Sequence, residues 1–322
     1  MGTRRRAGDG LVGLLAGLGL GVCAGAAWAG AYPWSLPEGV APPPVPVDNP
    51  MSTAKVELGR RLFGDVRLSF NLTTSCASCH DPERDFSDGL PRSIGADGRS
   101  PARHTPSLWN VAYNASFTWI DQGFTSLEEQ LRVPLTGRDP VELGFDAAGA
   151  AALAADPAIA ALQREAFGDA ALDATTVVRA LAAYLRTLVR MDGPFDRLLY
   201  WDDDSGFGAV ARAGRTLFFS ERLGCSACHA GPHLAGPTVA PGRSVAPVFH
   251  RTAVSDSALA FRAPSLRFVS RTAPYMHDGS LETLDAVVDF YARGGGKGAE
   301  RLVPFSLAPG ERRALLAFLA AL

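Results

Sequence analysis

Cysteine is scarce in this 322-residue chain: there are five, and four of them stand in two short motifs, CASCH at residues 76–80 and CSACH at 225–229. With Cys23 near the N-terminus set aside, no thiol remains for a structural disulfide, which excludes the small disulfide-stapled class. Surplus charge is lacking as well. The formal net charge is −2, and about −4 without residues 1–29, so nothing marks the chain for nucleic acid. Strand signals are sparse throughout, and the length suits two compact domains better than one small core. A mostly α fold of two helical domains with long irregular connections is expected.

The N-terminus has Arg4, Arg5 and Arg6, then the apolar, glycine-rich run LVGLLAGLGLGVCAGAAWA, ending in Ala27-Trp28-Ala29 as an A-x-A cleavage site. Residues 1–29 read as a secretory signal peptide, with export to the periplasm and no stable membrane insertion after cleavage. A retained anchor is the alternative, and the glycines and small-residue ending argue against it. A lipoprotein at Cys23 is disfavoured by the branched Val22 before it. Residues 30–50 are proline-rich and should lie extended along a surface. Ser52 looks like an N-cap for STAKVELGRRLF, whose apolar residues have roughly helical spacing. Residues 146–190 are alanine-rich with helical periodicity, and turn and charge signals near residue 200 place a boundary between residues 51–200 and 201–322.

The second half repeats the plan of the first. GRTLFFSERLGCSACH matches GRRLFGDVRLSFNLTTSCASCH with a shorter loop, Pro264-Ser265-Leu266 matches Pro106-Ser107-Leu108, and SLETLDAVVDFY matches SLEEQLRVPLTG. Three matches in one order argue for internal duplication. Each copy holds one C-x-x-C-H motif, in which two thiols on adjacent turns can form thioethers with a porphyrin and the histidine lies under the iron. Cys76, Cys79 and His80 fit this, as do Cys225, Cys228 and His229. A zinc knuckle and a redox dithiol are the alternatives. What lies over each iron decides the chemistry, since a sixth protein ligand makes an electron-transfer site and an open face admits peroxide.

The paired motifs, the segment WIDQGFTSLEEQLRVP and the segment RTAPYMHDGSLETLDAVVDFYARGG resemble the bacterial di-haem cytochrome c peroxidase and MauG superfamily over most of the chain past the leader. The resemblance implies two covalently bound c-type haems, the first being the peroxide site. Gln130 and Pro134 match the family's distal pair, and Glu142 matches its glutamate with two extra residues intervening. Glu142 is thus the implied acid/base that moves a proton between the peroxide oxygens, the alternative being a solvated loop carboxylate. The loop SIGADGRSPAR lacks the histidine that the peroxidase branch often places over the first haem; His104 is the nearest. Thr272 and Pro274 match residues whose carbonyls bind calcium between the haems, but His104 stands where the family usually has an asparagine ligand, so Ca2+ is implied only in part.

At the second haem Tyr291 falls where the peroxidases use methionine, as in MauG and its relatives; Met276 is the competing ligand. Trp119 matches a tryptophan between the haems that can relay electrons, or it is a large core residue. His277 is expected to hydrogen-bond near the second haem, and His233 and His250 are read as loop residues. The implied function is oxidation of a partner protein's side chain, most simply tryptophan, by hydrogen peroxide through a high-valent two-haem state. The short chain and the lead YPWSLPEGVAPPPVPVDNP look most like the MbnH subgroup. Leu223 replaces the tryptophan by which the methylamine-dehydrogenase enzymes pass on oxidising equivalents, leaving Trp201 or Tyr200 as the exit. The other readings are a cytochrome c peroxidase fed by a small donor protein and a di-haem electron carrier, which needs both irons six-coordinate.

Overall fold

The computed structural model describes residues 32–121, 123–243 and 245–322; the expected signal, residues 1–29, lies outside them. Among the described residues the helices are α1 (Thr53–Phe63), α2 (Cys76–Cys79), α3 (Leu127–Thr136), α4 (Ala147–Ala154), α5 (Pro157–Phe167), α6 (Ala174–Thr187), α7 (Pro194–Trp201), α8 (Ala209–Phe218), α9 (Leu284–Ala292) and α10 (Pro309–Ala320). The one sheet there is a two-residue antiparallel pair, β1 (Phe249–His250) with β2 (Phe261–Arg262), in the register Phe249 to Arg262 and His250 to Phe261. The expected mostly helical fold is what forms. The Ser52 hydroxyl accepts from Lys55 N at 3.2 Å and starts α1. Asp146, Asp156 and Asp173 cap α4, α5 and α6 in the same way, which divides the alanine-rich stretch into three helices.

One helix crossing is built twice. α1 packs on α6 and α8 packs on α10, in each case through a glycine against a main-chain carbonyl. A Cβ on Gly59 would overlap the Ala180 oxygen and crowd Tyr184; a Cβ on Gly214 would overlap the Ala314 oxygen and crowd Phe318. The partner helices read RALAAYL at 179–185 and RALLAFL at 313–319, a fourth repeat that alanine-rich periodicity had hidden. Leu58, Leu62, Val177 and Leu181 belong to a buried cluster that ends at Leu188. A second cluster begins at Phe195 and includes Phe218, Leu315 and Phe318. The last carbonyl of each cluster is bonded alike, with Leu188 O accepting from Asn110 N at 2.7 Å and Leu322 O from Phe268 N at 2.8 Å.

The third sequence match shifts in the structure. Ser126 caps α3, but its counterpart is Thr283, whose hydroxyl accepts from Ala286 N. Ser280 does not cap a helix because Leu281 is held in an antiparallel bridge with Tyr275. Counting from the caps, Pro134 and Tyr291 stand at the same place, each eight residues in.

Asp85 ties the two clusters together. It is 3% exposed, accepts from Trp109 Nε1 at 3.0 Å and from Arg190 at 2.8 Å, and pairs with Arg271 at 2.6 Å. Arg190 also lies 4.0 Å over the Phe268 ring, so one buried carboxylate holds cations from both halves.

Gly59→Ala and Gly214→Ala should each lower the thermal unfolding midpoint of the haem-loaded protein, by the roughly 1–3 kcal/mol that overpacking costs. Gly64→Ala should not, since nothing lies within 4 Å of the added carbon. Equal midpoints for all three would contradict the crossing.

Candidate active site

The first motif begins on the single turn of α2, opened by Ser75, whose N–H donates to Ser78 Oγ at 3.0 Å. One turn places Cys76 and Cys79 on the same face, and His80 N donates to Cys76 O at 2.9 Å. The His80 ring follows, with Nδ1 at 3.1 Å from Phe86 O. A carbonyl can only accept, so Nδ1 carries the proton and Nε2 keeps its lone pair for a metal. Phe86 and Asp85 are both left-handed (φ +60° and +54°), which turns the chain back toward the ring.

The second motif repeats the arrangement on a 3-10 turn, Cys225–Ala227, after Gly224 at φ +65°. His229 N donates to Cys225 O at 3.0 Å, and His229 Nδ1 to Leu234 O at 2.9 Å, with Leu234 left-handed at φ +51°. Burial pushes His229 down to about 4 and lowers His80 as well, so both rings are neutral. Burial also pushes the Cys76 thiol up to about 12 and Cys225 up to about 11, so neither is a nucleophile poised for disulfide exchange. Among the described residues no group of three or more His, Cys, Asp or Glu side chains is placed to hold an ion. Neither a zinc knuckle nor a redox dithiol fits; paired thiols beside a neutral, oriented histidine fit a c-type haem.

Glu142 lies within electrostatic reach of the first motif. Burial raises its carboxyl above the ordinary value, and its charge in turn raises Cys76 and Cys79. Its carbonyl accepts from Ala96 N at 2.9 Å, and Val141 N donates to Asp97 at 3.0 Å. Leu143 N donates to Pro134 O at 3.1 Å, which fastens the Glu142 segment to α3. Pro134 has no N–H for the Gln130 carbonyl one turn back, so the helix ladder is interrupted there. The Gln130 side-chain oxygen is buried without a partner.

Tyr291, on α9, lies within electrostatic reach of the second motif: burial raises its hydroxyl above the ordinary value, and Cys228 and Cys225 raise it further. Met276 has a left-handed backbone (φ +74°) and lines a cavity of about 80 Å³ between the copies, with His104, Trp119, Thr272 and Pro274. Trp119 Nε1 donates to His104 O at 2.8 Å, and His104 N donates to His277 O at 2.8 Å. The His277 ring stacks on Phe261 at 3.7 Å, its nitrogens without hydrogen-bond partners.

Two histidines without a motif prove well placed. His250 Nδ1 is 3.3 Å from Cys228 Sγ, in a β pair that its sequence does not announce. His233 is 2% exposed, stacks on Tyr113 at 4.4 Å, and its carbonyl accepts from Ser265 Oγ at 2.8 Å.

A duplicated helical unit with one neutral, backbone-held C-x-x-C-H histidine per copy defines a two-haem c-type protein. A family described as di-haem cytochrome c peroxidase matches residues 53–204. The methylamine utilization protein MauG of Methylorubrum extorquens is 39% identical over 291 residues, covering 86% of this chain and 80% of that one. The cytochrome c551 peroxidase of Pseudomonas aeruginosa is 34% identical over 254 residues, covering 74% and 72%. A crystal structure of a MauG-like protein associated with microbial copper homeostasis superposes with a TM-score of 0.85 at 34% identity, covering 90% of this chain and 95% of that one. The chain belongs to the di-haem cytochrome c peroxidase and MauG family, and two c-type haems with peroxidase-type chemistry come with it.

Burial pushes His233 down to about 3. Its folded value lies below the unfolded one, so the stability it contributes is full above about pH 6.5 and is lost as pH falls from there toward 3. His233→Phe keeps the stack on Tyr113 and should remove about 2 kcal/mol of the stability lost between pH 7 and pH 5. Chemical unfolding at the two pH values measures this, and identical losses in both proteins would contradict it.

Proposed function

We propose that this chain is an exported di-haem enzyme that uses hydrogen peroxide to oxidise a tryptophan of a partner protein. Residues 51–200 and 201–322 are taken as its two haem domains. The signal at 1–29 directs it to the periplasm; among the described residues no helix is long and apolar enough to cross a membrane. Cys76 and Cys79 would hold the first haem together with His80, and Cys225 and Cys228 the second together with His229. The observation that carries the reading is the shared register of Pro134 and Tyr291, with Tyr291 within electrostatic reach of Cys225 and Cys228. A prolyl ring has no donor atom for iron, whereas a phenol has one, so at this register only the second copy would offer its haem a protein ligand.

Bound haem supplies the iron that takes up peroxide's two oxidising equivalents. The protein supplies the proton path. Glu142, raised by burial above the usual carboxylate range, would take the proton of one peroxide oxygen and return it to the other as the O–O bond breaks, so that water leaves. Gln130 offers its unpartnered side-chain oxygen to orient the peroxide. Trp119, fixed by its bond to His104, lies between the copies as the relay. Trp201, 52% exposed and with its ring 5.9 Å from Tyr200, is the exit to the partner. The likeness to the MauG-like protein associated with copper homeostasis supports this branch.

The second reading, a cytochrome c peroxidase with a small donor protein, draws on the c551 peroxidase relative and on Met276 as a ligand. One equivalent of hydrogen peroxide added to the fully ferric protein separates the two. A prompt, lasting change across the visible and near-infrared spectrum is expected; no reaction until one haem has been reduced would favour the peroxidase. Glu142→Gln should slow the prompt reaction by about 10²–10⁴-fold. The acid limb of its pH profile in the parent protein should lie above the ordinary carboxylate value, because the base form is lost as pH falls through a raised pKa.

A further inference from the structure

The cavity between the two copies has no acid in its wall. The residues around it include Arg262 and Arg267 but no aspartate or glutamate. Arg267 is accounted for, since it pairs with the buried Asp196 at 2.7 Å. Arg262 is not. It is 8% exposed, its guanidinium donates only to the backbone carbonyls of Thr118 (3.3 Å) and Ala263 (3.2 Å), and it forms no ion pair with any described carboxylate. Burial pushes it down to about 10, which leaves it charged at neutral pH. A buried cation without an anion is one of the costliest arrangements a fold can hold, so the site is built for an anion that the polypeptide does not supply.

The position has an internal counterpart. Arg262 stands two residues before Pro264, as His104 stands two before Pro106, and both side chains reach the same cavity. His104 directs its Nδ1 proton at Leu90 O (2.9 Å) and gives its own carbonyl to Trp119 Nε1, so an imidazole nitrogen stands where an oxygen ligand would be needed. The Thr272 hydroxyl donates to Val269 O at 3.3 Å. Calcium seeks six to eight oxygen ligands, commonly with carboxylates among them. This wall has two arginines and no carboxylate. Resident calcium does not fit; carboxylates do, and each c-type haem keeps its propionates.

We propose that Arg262 is the built-in counter-cation of the haem propionates between the copies, that it takes the part calcium would otherwise play there, and that the two-haem unit assembles without a metal ion in this cavity. The proposal rests on the two-haem reading above. With a propionate paired, Arg262 would stabilise the reduced state of the nearer haem.

The haem-loaded protein, equilibrated with millimolar calcium chloride and gel-filtered, would be measured for iron and calcium by mass spectrometry. Its spectrum and potentials would be taken before and after EGTA. Iron at about two per chain with calcium far below one, and no response to EGTA, is expected. Arg262→Gln should lower the midpoint potential of one haem, and Arg262→Lys should restore most of it. One calcium for every two irons, removed by EGTA with a change of spectrum, would overturn the proposal and leave the two-haem reading intact, as would unchanged potentials in Arg262→Gln. Iron well below two per chain would instead overturn the two-haem reading, and the proposal with it.

Discussion

A ring N–H given to a backbone carbonyl, from His80 to Phe86 and from His229 to Leu234, is the bond on which both halves depend. It fixes which imidazole nitrogen is left for iron and requires the chain to double back through left-handed residues at Phe86 and Leu234. The Pro-Ser-Leu segments close behind: Ser107 bonds the Asp85 carbonyl and Ser265 bonds the His233 carbonyl, each one residue before the histidine's acceptor. Glycine-to-carbonyl helix crossings hold the frame outside this. Such a unit, once made, can be duplicated whole, because its parts are mutually determined.

What differs between the copies lies on the far side of the motifs. α3 and α9 begin from equivalent caps, yet one has Pro134 and the other Tyr291 at the same register. The first copy adds Glu142 on a segment bonded to the Pro134 carbonyl. The proposed division of labour, with peroxide activation in one half and storage of oxidising equivalents in the other, needs no new scaffold. It needs three side chains changed on a repeated one, together with His104 and the buried cation Arg262 where the halves meet.

The sequence made the motifs legible because thioether attachment demands a fixed spacing, and the duplication legible wherever glycine, proline or cysteine was involved. It was misleading where the repeat rests on common residues. The Ser280 match to Ser126 gave a cap three residues early, since the Tyr275–Leu281 bridge has no sequence signature. The likeness of RALAAYL to RALLAFL has no signature of its own, because a small residue at a crossing looks like any alanine. Arg262 and Asp85 were invisible for a different reason. Their importance lies in burial and in partners far along the chain, which no local pattern encodes.

The central claim is that one haem face is open and the other is filled by Tyr291. Electron paramagnetic resonance of the resting, fully ferric protein, beside that of Tyr291→Phe, tests it most directly. One high-spin and one low-spin signal are expected in the parent, with the low-spin signal altered in the variant and the high-spin signal retained. Two low-spin signals in the parent, or a variant identical to it, would contradict the claim.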